Sequence, residues 1–238
     1  MTKPSEVTGQ VILVRSLTTT AGNTFPVKAI KVEQTSENVK RLTSTSELWD
    51  SIAQSYRRQG VPPKVPSHAQ FAADALWYGA RCAVPESECD TIVLTDGLYR
   101  QSLIQAVAVY TVDKTKGDII LFSVSPEYQP EVPDHDMPRG LGSTLLDAVK
   151  LDMQRRGVQT VEVSPLDRYA EAWWKKKGFA PTDGAWQASI GSIVSGDISP
   201  DEAYAAKRPV LFKIARPRDL LYYKSLRTYS PGERIFLP

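Results

Sequence analysis

The chain has 238 residues, 42% of them hydrophobic and 24% charged, the balance of a globular polypeptide long enough to bury its own core. That excludes disorder throughout. Its 29 basic and 27 acidic residues leave a net charge of +2, which neither demands nor forbids a phosphate-bearing partner. The longest apolar runs, such as Ile119-Ile120-Leu121-Phe122, fall far short of the roughly 20 residues a membrane helix needs. Lys3, Ser5 and Glu6 lead into no signal-peptide core, so a cytoplasmic protein is expected. Cys82 and Cys89, with only His68 and His135 as histidines, are too few for a zinc cage and too sparse for a secreted disulfide framework. No metal is expected.

Residues 11–17 and 27–33 are rich in β-branched side chains and flank Ala21-Gly22-Asn23, which predicts a hairpin. Residues 44–59 open on Thr-Ser-Thr-Ser capping candidates and place Leu48, Ile52 and Tyr56 four apart, the spacing of a helix. The prolines at 62, 63 and 66 break it. A second helix is predicted over 68–83, capped by Ser67. Strands follow at 91–95, 101–112 and 118–125, with turns at Asp96-Gly97 and Lys116-Gly117.

Pro126, Pro130, Pro133 and Pro138 make 126–138 a loop. Leu141, Leu145, Val149 and Met153 then recur at four-residue steps, so 140–156 is a helix with one buried face and Lys150, Gln154 and Arg155 outside. A strand at 159–164, a helix at 167–177, an irregular stretch at 180–207 and a strand at 209–215 complete the pattern. The order β-β-α-α-β-β-β-α-β-α-β predicts an α/β fold of the α+β kind, with hairpins joined to a parallel strand-helix-strand crossover.

Arg139-Gly140-Leu141-Gly142-Ser143 opens the best helix. Glycines let main-chain amides approach a ligand, and the helix start supplies unpaired donors and partial positive charge, which together suit a pyrophosphate. Downstream, Gly178 suits a left-handed helix end, and Lys175, Lys176 and Lys177 sit where cations complement the helix dipole.

Three segments together resemble the GNAT superfamily of acyl-CoA-dependent N-acyltransferases: Val124-Ser125-Pro126-Glu127-Tyr128, Arg139-Gly140-Leu141-Gly142, and Ala170 through Lys177-Gly178-Phe179. By element order the likeness spans about residues 27–215; by motif it is confined to 118–179. It implies a mixed central sheet with a splayed strand pair and flanking helices. It also implies acetyl-CoA or another acyl-CoA as co-substrate, and an amine acceptor entering from the side of residues 1–89. Main-chain groups of Phe122, Ser123 and Val124 would pair with the pantetheine arm, Arg139 through Ser143 would hold the pyrophosphate, and Asp167 and Trp174 on the later helix would border the groove.

This sequence departs from the family pattern at several positions. Met137 replaces the usual Arg or Gln, and the longer loop carries Glu127, Glu131, Asp134 and Asp136, which should turn away from a pyrophosphate. Asp167 stands where asparagine is usual, a helix cap by its chemistry. Trp174 replaces the tyrosine that many relatives use as general acid. Tyr169, the nearest tyrosine, lies about 140° away around the helix and is not a direct substitute. The catalytic candidates are Glu162, which alternates with Val161 and Val163 and would act as a base, and Tyr169 as the tyrosine nearest to Trp174.

One domain is expected over 1–216, with 1–89 on the acceptor side and 90–216 as the cofactor-binding core. The tail 217–238 mixes Arg218, Lys224, Arg227 and Arg234 with Tyr222, Tyr223 and Tyr229. It is expected to dock on the domain rather than to bind nucleic acid. Alternatives to transfer are a binding module that has lost turnover, and chemistry on a nucleic-acid base. The sequence leaves the oligomeric state open.

Overall fold

In the computed structural model the described residues are 7–19, 21–60, 64–95, 104–126 and 139–195. The turn at Asp96-Gly97, Met137 with the acidic loop at 127–138, the strand expected at 209–215 and the basic tail lie outside them. An eight-stranded sheet is ordered β1-β2-β3-β4-β5-β6-β8-β7. Its strands are β1 (Gly9–Thr18), β2 (Thr24–Val32), β3 (Cys89–Thr95), β4 (Ile104–Asp113), β5 (Lys116–Val124), β6 (Thr160–Val163), β7 (Ala180–Pro181) and β8 (Trp186–Ser189). Every pairing is antiparallel except β5 with β6. This is the mixed sheet with flanking helices that the sequence predicts.

Helix α1 (Ser36–Arg58) starts eight residues before the predicted position, because Thr35 caps it by accepting from the Asn38 amide. Its buried stripe is Asn38, Leu42, Ser46, Trp49 and Ala53, two of them polar, so hydrophobic periodicity underreports it. Asn38 ties the helix to the hairpin: its Nδ2 donates to the carbonyls of Thr8 (2.8 Å) and Glu33 (3.0 Å). Helix α2 (Lys64–Cys82) also starts early, so Ser67 lies inside it and is not its cap. Small residues let α2 lie close to its neighbours: Ser46 Oγ donates to the Ala73 carbonyl (2.8 Å), and Thr91 Oγ1 donates to that of Gly79 (3.2 Å).

The cysteines correct the sequence expectation. Cys82 and Cys89 form a disulfide that joins the end of α2 to the start of β3. The β4–β5 turn sits two residues earlier than expected, with Lys114 at φ 51°. Gly117 is in the strand, where a Cβ would come within 2.7 Å of Met153. The stretch after 180, expected to be irregular, contains β7 and β8, and β8 extends the sheet beyond β6.

Helix α3 (Leu141–Arg155) buries Leu141, Leu145, Val149 and Met153 as predicted, and buries Asp147 and Asp152 with them. Each acid meets cations carried by the sheet. Arg15 of β1 lies 2.8 Å from Asp147. Asp152 accepts from Tyr110 (2.7 Å) and lies 3.2 Å from Lys31. Asp90 completes that cluster by pairing with Lys31 and Arg156. Burial, the hydrogen bond to Asp152 and the nearby carboxylates push the Tyr110 hydroxyl well above the ordinary tyrosine range. Helix α4 (Arg168–Lys176) is capped by Asp167, whose Oδ1 accepts from the amides of Tyr169 and Ala170, both at 2.9 Å.

Gly178 has φ 91°, and a Cβ there would lie 2.5 Å from the Ser192 carbonyl oxygen. Gly178→Ala should therefore cost about 1–3 kcal/mol, read as a lower denaturant midpoint at unchanged slope. Because the folded state raises the Tyr110 pKa, its contribution to stability is fully present below the unfolded tyrosine value of about 10 and is lost as pH rises above it. Melting temperature should fall more steeply above that pH in the wild type than in Tyr110→Phe.

Candidate functional site

The site is made where the parallel pair stops. β5 and β6 are in register from Lys116 with Thr160 to Ile119 with Val163. β5 then continues to Val124, paired on its other side with β4 through Leu121–Val109, Phe122–Ala108, Ser123–Val107 and Val124–Ala106. Ile120 is an extra residue in the β4–β5 ladder, since Tyr110 pairs with Ile119 and Val109 with Leu121. A bulge bends its strand and strengthens the local twist. It falls where β6 leaves.

Past the bulge, Phe122 and Val124 pack with the cluster that contains α3 and Trp174, while Leu121 packs with the cluster that contains α2. Phe122, Trp173, Trp174 and Phe179 form an aromatic wedge, with centroid separations of 5.5 Å for Phe122–Trp173, 5.2 Å for Phe122–Trp174 and 4.9 Å for Trp174–Phe179. Trp174 is 4% exposed, so it is a core side chain of this wedge. The wedge keeps α4 on β5 while the strands part.

Gly140 stands beside the wedge at φ 85° as the N-cap of α3, with no side-chain cap. The first-turn amides of Leu141, Gly142 and Ser143 precede the first intrahelical donor, that of Thr144, which bonds the Gly140 carbonyl at 2.8 Å. A Cβ on Gly142 would lie 3.5 Å from Trp173 and 3.8 Å from Phe122, so the helix start and the wedge touch. The Arg139 amide donates to the Thr18 carbonyl (3.0 Å), which ties the residue before the helix to β1, and the Arg139 side chain is exposed. The structure thus brings Phe122, Ser123, Val124 and 139–143 into one neighbourhood, with Trp174 behind them.

The two catalytic candidates are placed apart from one another. Glu162 belongs to the zipped part of the pair, opposite Asp118 and Gln187. Lys116 Nζ donates to Glu162 Oε1 (2.7 Å), as does Gln187 Nε2. The Lys116 bond is the main cause holding the Glu162 carboxyl below its usual range, which weakens a base. Tyr169 is 61% exposed in the first turn of α4.

Three features escaped the sequence reading. The Ile120 bulge is one. Ser125 Oγ is another, 1% exposed at the end of β5 and unpartnered among the described residues. The third is His68, whose Nε2 lies 2.9 Å from Asp167 Oδ2. No spacing signal links residues 99 positions apart.

No family model and no curated protein matches the chain. Among solved structures it is similar to the PaiA N-acetyltransferase of Thermoplasma acidophilum in complex with coenzyme A, at 13% identity over 68% of this chain and 98% of that one, with a TM-score of 0.43. GCN5 of Tetrahymena is similar at 15% identity over 68% and 94%, TM-score 0.40. The ribosomal-protein-S18-alanine N-acetyltransferase of Escherichia coli is similar at 21% over 46% and 72%, TM-score 0.33. No helix among the described residues is long and apolar enough to cross a membrane.

The ionisation of Glu162 can be measured directly. Its carboxyl resonance should titrate below the ordinary glutamate value of about 4.3, and Lys116→Met should move it upward. An unshifted resonance in the wild type would dissolve the ion pair.

Proposed function

We propose that the chain is a GNAT-type N-acyltransferase that moves an acyl group, most simply acetyl, from acyl-CoA to an amine. One observation carries this reading: among the described residues β5 has no pairing partner on its β6 side over Ile120–Val124, beside the left-handed Gly140 and the first-turn amides of α3. An extended pantetheine arm fits such an edge as an added strand. A pyrophosphate fits the amide nest, where helix dipole and unpaired donors favour negative charge. Main-chain groups near Val124 are then the donors available to polarise the thioester carbonyl. The Arg139 side chain supplies a cation at the same end.

A second reading, binding without transfer, is favoured by Trp174. Its indole N–H is too weakly acidic to protonate a departing thiolate, and it is packed between Phe122 and Phe179. The thiolate is a tolerable leaving group near neutral pH, however, so turnover survives without a dedicated acid when the amine is deprotonated and positioned. The acceptor side would be formed by α1 and α2.

Calorimetric titration with acetyl-CoA, followed by CoA release against a panel of amines, tests the two readings together. Binding in the micromolar range, about −8 kcal/mol, is expected. It should be lost in Gly140→Glu, which strains a left-handed position and sets a carboxylate beside the phosphates. Undiminished affinity in that variant would remove the amide nest from the site. Binding with no CoA release for any amine would establish the second reading.

A further inference from the structure

Two helices on the face of the sheet opposite α3 each reach one lip of the opening. Tyr56, late in α1, donates its hydroxyl to the Pro126 carbonyl just past β5 (3.4 Å). His68, early in α2, meets Asp167 just past β6. The path of α2 accounts for this. Its Ala72, Ala73 and Leu76 pack with Val107, Val109 and Leu121, and Gly79 lies on Thr91. At about 1.5 Å per residue, the helix runs back from Gly79 for roughly 16 Å before reaching His68. That brings it to the end where the strands diverge.

Asp167 divides its two oxygens between two tasks. Oδ1 accepts from the amides of Tyr169 and Ala170, which fixes the carboxylate at the head of α4. Oδ2 is then held toward the imidazole. With the proton on Nε2 donated to Oδ2, Nδ1 is the lone-pair nitrogen, a tautomer assigned from the carboxylate partner. The two side chains are 24% and 31% exposed, so a solute can reach the pair. Glu162 differs: Lys116 and Gln187 occupy its carboxylate, and it lies in the zipped part of the strands.

We infer that His68, oriented by Asp167, is the base that deprotonates the acceptor amine; the inference rests on the transferase reading above. The ammonium group gives one proton to Nδ1 of His68. The freed nitrogen lone pair attacks the thioester carbonyl carbon, a C–N bond forms, and the C–S bond breaks with its electron pair staying on sulfur. The second nitrogen proton passes to the thiolate, and His68 returns the first to water. Ammonium and acetyl-CoA thereby yield amide, CoA thiol and one proton. Asp167 is a positioning residue, in the relation that a carboxylate commonly bears to a basic histidine.

The test uses the full chain as wild type, His68→Gln, Asp167→Asn and Glu162→Gln. Acetyl-CoA affinity is measured by calorimetry, and CoA release is measured with water, spermidine and a lysine-containing peptide as acceptors. Asparagine still caps a helix, so Asp167→Asn isolates the loss of the imidazole's partner. Expected are equal acetyl-CoA affinities in all four proteins, a kcat about 100-fold lower in His68→Gln, a smaller loss in Asp167→Asn, and a Glu162→Gln rate within about twofold of wild type. Free imidazole should restore part of the rate to His68→Ala, which a purely structural histidine would not allow. If His68→Gln does not fold, His68→Asn carries the same comparison. Wild-type and His68→Gln rates that agree for every acceptor, or a loss confined to Glu162→Gln, would overturn the assignment while retained acetyl-CoA binding leaves the transferase reading standing. Absence of acetyl-CoA binding in the wild type would instead remove both.

Discussion

The structure turns on the place where β6 stops pairing with β5. A parallel pair continued beyond Ile119 and Val163 would satisfy both strands and leave no edge for a ligand. The extra residue at Ile120 prevents this by bending β5 away from the shared register. Parting strands would ordinarily expose apolar surface. Here Phe122 turns toward α4 and is covered by Trp173 and Trp174, so the divergence is filled by rings. Offset and edge-on aromatic pairs contribute roughly 0.5–1.5 kcal/mol each beyond the area they bury.

An open edge is useful only if the amides of α3 are held beside it, and α3 is held by charge as well as by its apolar face. Asp147 and Asp152 lie on its buried side and meet cations from β1, β2 and the helix's own end. Buried ion pairs add little net stability, because desolvation offsets attraction; removing one partner alone is costly. Their consequence here is directional. Arg15 and Lys31 come from different strands, so α3 cannot rotate or slide without stranding a charge, and the Gly140 end keeps its place relative to β5.

Much of this was readable in sequence where one side chain or one period decides the outcome. The four-residue recurrence from Leu141 to Met153 marked α3, Asp167 marked the start of α4, and Gly178 marked its end. What stayed hidden depends on relations that no local pattern encodes. The first turns of α1 hang on Thr35, which accepts from the Asn38 amide, and on Asn38, whose side-chain partners Thr8 and Glu33 flank the hairpin strands. A bulge is a mismatch between two strands, so Ile120 looks like any apolar strand residue. The Cys82–Cys89 bond depends on the end of α2 turning back onto the start of β3, a tertiary relation that two cysteines seven positions apart do not encode.

On the proposed transferase reading, the tryptophan at position 174 links packing to chemistry. Indole fills more of the wedge than a phenol and reaches Phe122 and Phe179 together, but a thioester sulfur beside it would find no acidic proton at this position. A thiol with a pKa near 8.5 departs as thiolate without much help. An ammonium cannot attack until it has lost a proton. On the proposed transferase reading the chemical demand moves from leaving group to nucleophile, to the side where α1 ends and α2 begins. Any base there has to be fixed by something other than the strands that have just parted. The N-cap of α4 meets that requirement, because one oxygen of Asp167 is already committed to two amides and the other is consequently rigid.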